Sequence, residues 1–215
     1  MKAPFHIAEL KERKVIESMK RIPAPTRAHI EALDKMVLDI VEKYGMVESE
    51  REVAVEVSEE VGTFVSENFP GCSLMLYGSV ASRLALKESN IDMNLRAPPN
   101  LNGPTTLGAI SKLISENPLF SNVAKDFDEG RPSIHFVHKR TNVKCSVCLC
   151  KDETIKTTEI ISKYQTIDPR VRQLAVVFRK WAKVRTDTEK YDNILAFMSE
   201  CVSMSIVYYI LVLVS

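Results

Sequence analysis

The sequence has no excess of one charge, no internal repeat, no low-complexity tract and no uninterrupted apolar run long enough to cross a bilayer. Lys and Arg number 29 against 28 Asp and Glu, so a formal net charge of +1 announces neither a nucleic-acid binder nor an acidic tail. With no fixed period, solenoid architectures have no support. Ile194 to Val214 is apolar enough to suggest a membrane, but Glu200 and the serines interrupt it. It reads as a buried helix, with a C-terminal anchor as the alternative. The start shows no signal peptide, and the five cysteines are an odd number, with Cys145, Cys148 and Cys150 crowded together. A reducing, cytoplasmic setting without disulfides is therefore expected.

What is present is ordinary globular composition, 45% hydrophobic and 27% charged over 215 residues. That length allows one full domain, or one plus part of a second, with a real core. Charge is less even locally. About thirteen basic residues face about six acidic ones from Lys139 to Lys190, whereas Glu48 to Glu67 is rich in Glu. A basic face toward RNA and an ordinary solvated surface both account for this.

Spacing separates the chain into helix, sheet and helix. Ile30, Leu33, Met36, Val37, Ile40, Val41 and Tyr44 recur at helical intervals behind Pro23 and Pro25, with Gly45 as a stop. Ala54, Val57, Val61, Phe64 and Val65 line a second helix that ends before Pro70-Gly71. The period then becomes two: Leu74 to Tyr77 is a short apolar run, and Ile91, Met93 and Leu95 alternate with Asn90, Asp92 and Asn94. Pro98 to Pro104 reads as a loop, Leu107, Ile110 and Ile114 as a helix, and Ser133 to Leu149 as two strands joined near Arg140-Thr141-Asn142. From Pro169 onward Val171, Leu174, Val177, Phe178 and Trp181 return to helical spacing. A mixed sheet flanked by helices follows.

The chemistry lies between Leu74 and Leu95. One strand ends in Gly78-Ser79, a helical segment intervenes, and a second strand carries Ser89-Asn90-Ile91-Asp92. Backbone amides beside a glycine, with a small hydroxyl, suit a triphosphate. Acids at alternate strand positions suit the metal ions of nucleotidyl transfer. This ordered pattern, Gly-Ser, roughly ten residues, then Ser-Asp-hydrophobic-Asp, resembles the polymerase-beta-like nucleotidyltransferase superfamily and, within it, the terminal uridylyltransferases. The resemblance continues through Ile167-Asp168-Pro169-Arg170-Val171 and Phe178-Arg179-Lys180-Trp181-Ala182-Lys183, which look like the start of that group's helical central domain.

The resemblance implies an α/β (α+β) nucleotidyltransferase fold with N-terminal helices over 1–68, a nucleotidyltransferase-like domain over 69–160 and the start of a helical central domain over 161–215. Ending there, the chain looks like a fragment or shortened product. The family's three metal carboxylates map onto Asn90, Asp92 and a position at or beside Ser146, so Asp92 alone keeps its acid. Gly78, Ser79 and Lys183 map onto nucleotide-binding positions. The tyrosine that stacks on uracil in active members is matched loosely by Cys201, and Thr186 to Asn193 departs from the family's linker. The expected function is a non-catalytic module, resembling the inactive N-terminal module of vertebrate-type RNA uridylyltransferases, that binds RNA or an RNA-binding partner protein and supports 3′ uridylation. The alternatives are an active uridylyltransferase that uses Mg²⁺ or Mn²⁺ to add UMP from UTP to RNA 3′ ends, and a scaffold without RNA contact.

Three other groupings have blander explanations. Asp126-Phe127-Asp128-Glu129 and Glu88 are acids near the pattern, but they read as a solvated turn and a loop residue outside the paired alternation. His135, His138, Cys145, Cys148 and Cys150 are zinc-ligand types. Cys145 and Cys148, however, are expected on opposite strand faces, and neither histidine has an evident Ser or Cys partner. Leu10 to Arg21 mixes Lys11, Arg13, Lys14, Lys20 and Arg21 with Glu9, Glu12 and Glu17, as in an ion-paired exposed helix or an RNA-facing one.

Overall fold

The computed structural model describes residues 24–127, 132–150 and 152–185. Leu10 to Arg21, Asp128, Glu129, Thr186 to Asn193, Cys201 and Ile194 to Val214 lie outside the described residues. Among the described residues no helix is long and apolar enough to cross a membrane.

Helix α1, Arg27–Tyr44, opens with the Thr26 hydroxyl accepting from the His29 amide at 3.3 Å and an Arg27–Glu31 pair at 2.8 Å. Its residues through Leu38 belong to one compact unit, and Asp39 onward belongs to a second that holds the rest of the fold. Helix α2, Glu48–Asn68, starts where the Glu50 carboxylate accepts from the Val47 amide at 3.0 Å, which ties off an amide the helix cannot satisfy itself. It leads to strand β1, Ser73–Tyr77, and the single helical turn α3, Gly78–Ala81. Strand β2, Ile91–Arg96, and helix α4, Gly103–Glu116, follow. The Asn102 side chain accepts from the Thr105 amide at 3.0 Å and sets the start of α4, so the loop expected through Pro104 is already helical at Gly103.

Strands β3 (Phe120–Asp126), β4 (Ser133–His138) and β5 (Val143–Cys148) complete a mixed five-stranded sheet in the order β1-β2-β5-β4-β3. Only β2 and β5 run parallel; the other neighbours are antiparallel. Helices α5, Asp152–Ile167, and α6, Pro169–Arg185, end the described chain. α5 runs through residue 160, the expected boundary between the second and third segments.

Two elements escaped the sequence reading. Strand β3 was not anticipated, and Asp126, expected in an acidic turn, is its last residue. Helix α5 was also unread, because it buries only Ile155 and Ile161 and so carries a thin periodic signal. In α6 the buried residues are Val171, Ala175 and Val176, whereas Phe178 and Trp181 are exposed.

Burial explains the layering. Val57, Val61 and Val65 of α2 and Leu107, Ile110 and Ile114 of α4 pack on Ile91, Met93, Ile134, Phe136 and Val147 of the sheet. Phe120 stands edge-on to Phe136 with ring centroids 5.1 Å apart. On the opposite face Ile155 of α5 packs with Tyr77 and Cys148, and Leu84, Ile161 and Ala175 form a small third cluster.

Phe136 is one of the largest fully buried side chains of the larger core, so Phe136→Ala should destabilise the fold by about 3–5 kcal/mol through lost transfer energy and an unfilled cavity. Urea unfolding checks this: the midpoint should fall with an unchanged slope, and a loss below about 1 kcal/mol would show that the site relaxes freely.

Candidate functional site

Strand β2 alternates strictly. Ile91, Met93 and Leu95 are at most 3% exposed against the α2/α4 core, which turns Asp92 and Asn94 to the other face. Pairing then builds a row across that face: Tyr77 stands opposite Asp92, Asp92 beside Ser146, and Ser146 opposite His135. The structure thus brings Asp92 and Ser146 together on neighbouring parallel strands. Asn90 lies just before β2 and is exposed. Asp92 is the one carboxylate on β2, and β5 has none. Among the described residues, no cluster of three His, Cys, Asp or Glu is arranged to hold a metal.

Gly78 closes the row from above. Its φ is +72°, a region that favours glycine, and a Cβ there would come within 3.1 Å of Asp92 Oδ2. The backbone therefore passes directly over the carboxylate. Its amide, however, donates to Thr158 Oγ1 of α5 at 3.1 Å, and that hydroxyl donates to the Thr154 carbonyl. Ser79 is buried beside it, and its carbonyl accepts from the Leu84 amide at 2.9 Å.

The next row is also polar and tightly held. Asn94 is 4% exposed, and its Oδ1 accepts from the Cys150 amide at 2.8 Å, which spares a buried amide group an unsatisfied bond. The Tyr77 hydroxyl lies 2.9 Å from Cys148 Sγ, and Cys148 lies 3.0 Å from Cys150 Sγ. Burial, then the neighbouring Cys148 and Asp92, pushes the Tyr77 phenol well above its ordinary range, so it stays protonated. Cys145 belongs to the opposite, core face, where burial followed by the Asp92 charge pushes its thiol up to about 12. Cys145 and Cys148 do point to opposite faces, so they do not share one ion.

His135 does have a serine partner, contrary to expectation: Ser133 Oγ lies 3.1 Å from its Nε2. The two are one pleat apart on β4, a relation sequence separation alone does not advertise. No carboxylate bonds its other ring nitrogen among the described residues, so no triad is completed. His138 is fully buried, with Nδ1 2.8 Å from Thr141 Oγ1 and Nε2 3.5 Å from Glu60.

The remaining acids are engaged or distant. Asp126 shares the face of Asn94 through Ser133 and Cys148 but sits three strands away, roughly 14 Å at ordinary strand spacing. Glu88 binds Lys180 at 3.2 Å and Lys183 at 3.7 Å. The Lys180 hydrogen bond, followed by the Lys183 charge, holds its carboxyl below the usual range. Lys183 is therefore a half-exposed α6 cation already facing an anion, and Lys180 also lies 4.2 Å above the Tyr44 ring. Alternation in the sequence already set Asn94 on the face of Asp92, whereas Tyr77 and Thr158 were missed as members of this neighbourhood, and nothing local marks Thr158.

Comparison with known proteins gives a consistent result. The family described as TUTase nucleotidyltransferase domain matches residues 12–151. Human terminal uridylyltransferase 4 is 26% identical over 210 residues, 98% of this chain but 13% of the relative. Human terminal uridylyltransferase 7 is 26% identical over 184 residues, covering 86% of this chain and 12% of the relative. The chain thus spans about an eighth of the length of these curated relatives. Among solved structures, mtPAP in complex with UTP superposes with a TM-score of 0.63 at 19% identity over 83% of this chain and 40% of its own. The Cid1 poly(U) polymerase with MgGTP bound gives 0.62 at 19% identity, over 71% of this chain and 48% of its own. Both likenesses concern the fold. Since the family match covers well over half of the sequence, this chain belongs to the TUTase nucleotidyltransferase domain family.

Proposed function

We propose that this chain is a degenerate terminal uridylyltransferase module that transfers no nucleotide and binds RNA, in support of 3′ uridylation carried out by another module. The observation that carries the reading is Asp92 beside Ser146: the two parallel strands that would hold paired metals offer one carboxylate and one hydroxyl there, with the amide of Asn90 just before β2. Magnesium takes hard oxygen ligands, and two such ions beside a triphosphate need anionic ones. This donor set does not fit a pair of divalent cations. One unit charge about 4 Å from another contributes roughly 4 kcal/mol at an effective dielectric near 20, so two missing carboxylates weaken such a site by orders of magnitude.

Neighbouring groups do not restore the count. Asp126 is too far away across the sheet, and Glu88 is occupied by two lysines. The Gly78 amide, the natural donor to a triphosphate, is occupied by Thr158. RNA binding is supported by the basic excess between Lys139 and Lys190 and by kinship with enzymes named for terminal uridylylation.

A second reading, an active enzyme that uses Mg²⁺ and UTP, is favoured by Asp92 itself and by Gly78 passing over it at close range. A tailing assay with UTP, Mg²⁺ or Mn²⁺ and a short RNA separates the two. No extension is expected, and steady extension abolished by Asp92→Ala would overturn the non-catalytic reading. Retention of the same RNA should fall as salt rises, because cation–phosphate contacts release counterions. No retention at low salt would leave only a scaffold.

Restoring acids tests the electrostatic cause. The double variant Asn90→Asp with Ser146→Asp should acquire a Mn²⁺- and UTP-dependent rise in thermal midpoint that the natural chain lacks. An equal rise in both chains would mean that the missing carboxylates are not what limits metal binding.

A further inference from the structure

At the far end of α3 from Gly78, the chain forms a recess of about 220 Å³ lined by Arg51, Arg83, Arg172, Glu48, Met46 and Gln165, among others. The elements that meet there are the first turn of α2, the turn after α3, the last turn of α5 and the first turn of α6. Three guanidinium groups face one carboxylate, a surplus of two positive charges in one concavity. Glu48 engages Arg51 at 3.0 Å through Oε1 and Arg83 at 2.9 Å through Oε2, while Arg172 donates to the Met46 carbonyl at 2.8 Å. A guanidinium carries five N–H donors, and among the described residues each of these three bonds through one nitrogen. Most of their donors therefore have no protein partner among the described residues.

Arg83 is held there at a φ of 60°, which an arginine rarely adopts and which glycine would accept without cost. We propose that this recess is a phosphate-binding site, separate from the nucleotide cleft, that takes a phosphate group through Arg51, Arg83 and Arg172. Donors that converge from three elements suit a tetrahedral oxyanion better than a planar carboxylate, which a single guanidinium fork can satisfy. The volume lies below the 300–1,000 Å³ range of sites that enclose whole small molecules, so it fits the phosphate group rather than a complete nucleotide.

Two sources share this chemistry, the RNA backbone and a free phosphate or nucleotide. The site rests on the RNA-binding reading only for the first. Thermal unfolding of the 215-residue chain should be measured with inorganic phosphate against chloride at equal ionic strength, for the natural chain, Arg83→Gly and Arg172→Gln. Phosphate should raise the midpoint of the natural chain and lose most of that effect in both variants. Arg83→Gly should fold at least as well as the natural chain in chloride because it removes an unfavourable φ, so it decides alone if Arg172→Gln fails to fold. In a second arm, anisotropy of a labelled short oligouridine is followed across salt. About a tenfold weaker affinity in Arg83→Gly, with a salt slope smaller by about 0.7, identifies the RNA backbone as the source. Unchanged RNA affinity with a lost phosphate effect identifies a free phosphate group. No phosphate effect on the natural chain, or the same effect in all three chains, overturns the site. A natural chain that retains no RNA defeats the RNA-binding reading while leaving the phosphate arm intact.

Discussion

Everything at the candidate site depends on the pleat of β2. Because strand side chains alternate, the burial of Ile91, Met93 and Leu95 against α2 and α4 fixes which way Asp92 points. A shift of one residue in register would drive Asp92 into the apolar core and expose three of its largest members. The penalty for burying an unpaired carboxylate makes that arrangement untenable, so the core holds the register and the register holds the acid. The parallel pairing with β5 then sets what stands beside Asp92, and in this chain it is Ser146.

The same economy governs the turn over the row. Gly78 is tolerable at φ +72° and close enough to Asp92 that any side chain would press on the carboxylate. Such an approach has an obvious use when phosphate oxygens must reach a backbone amide. In this chain the amide is instead tied to Thr158, the Tyr77 hydroxyl is tied to Cys148, and Asn94 to the Cys150 amide. Each bond satisfies a partly or wholly buried polar group, which removes the cost of leaving it unpaired.

Much of this was legible in the residues. Period-two alternation from Ile91 to Leu95 and the paired strands around Arg140-Thr141-Asn142 located the centre of the sheet, and the helical spacing of Ala54 to Val65 located the helix that covers it. Strand β3 was illegible for a local reason: its register shifts between Ser121 and Ala124, and Asn122 takes a φ of 53°, so the alternation that marks a strand is broken inside it. Other features are long-range by nature. Thr158 meets Gly78 across 80 positions, Lys180 meets Glu88 across 92, and Arg172 meets Met46 across 126. No window of sequence contains both partners, so the tied amide, the lysines paired with Glu88 and the arginine recess emerge only when the helices pack on the sheet.

The two faces of the sheet explain how a fold can persist whatever becomes of its chemistry. The larger core, with Phe120, Phe136 and the α2 valines, lies wholly on the side away from Asp92. No carboxylate contributes to it, so replacing acids on the other face leaves the main source of stability untouched. A second acid at position 146, beside Asp92, would instead add a like-charge repulsion that only bound cations relieve. Serine there removes that repulsion, just as Glu88 offsets the charge of Lys180 and Lys183. Glu88 thus offsets one of the two lysine charges, whereas the recess formed by Arg51, Arg83 and Arg172 sets three cations against Glu48. The proposed attraction for a phosphate therefore rests on that recess, past the far end of α3.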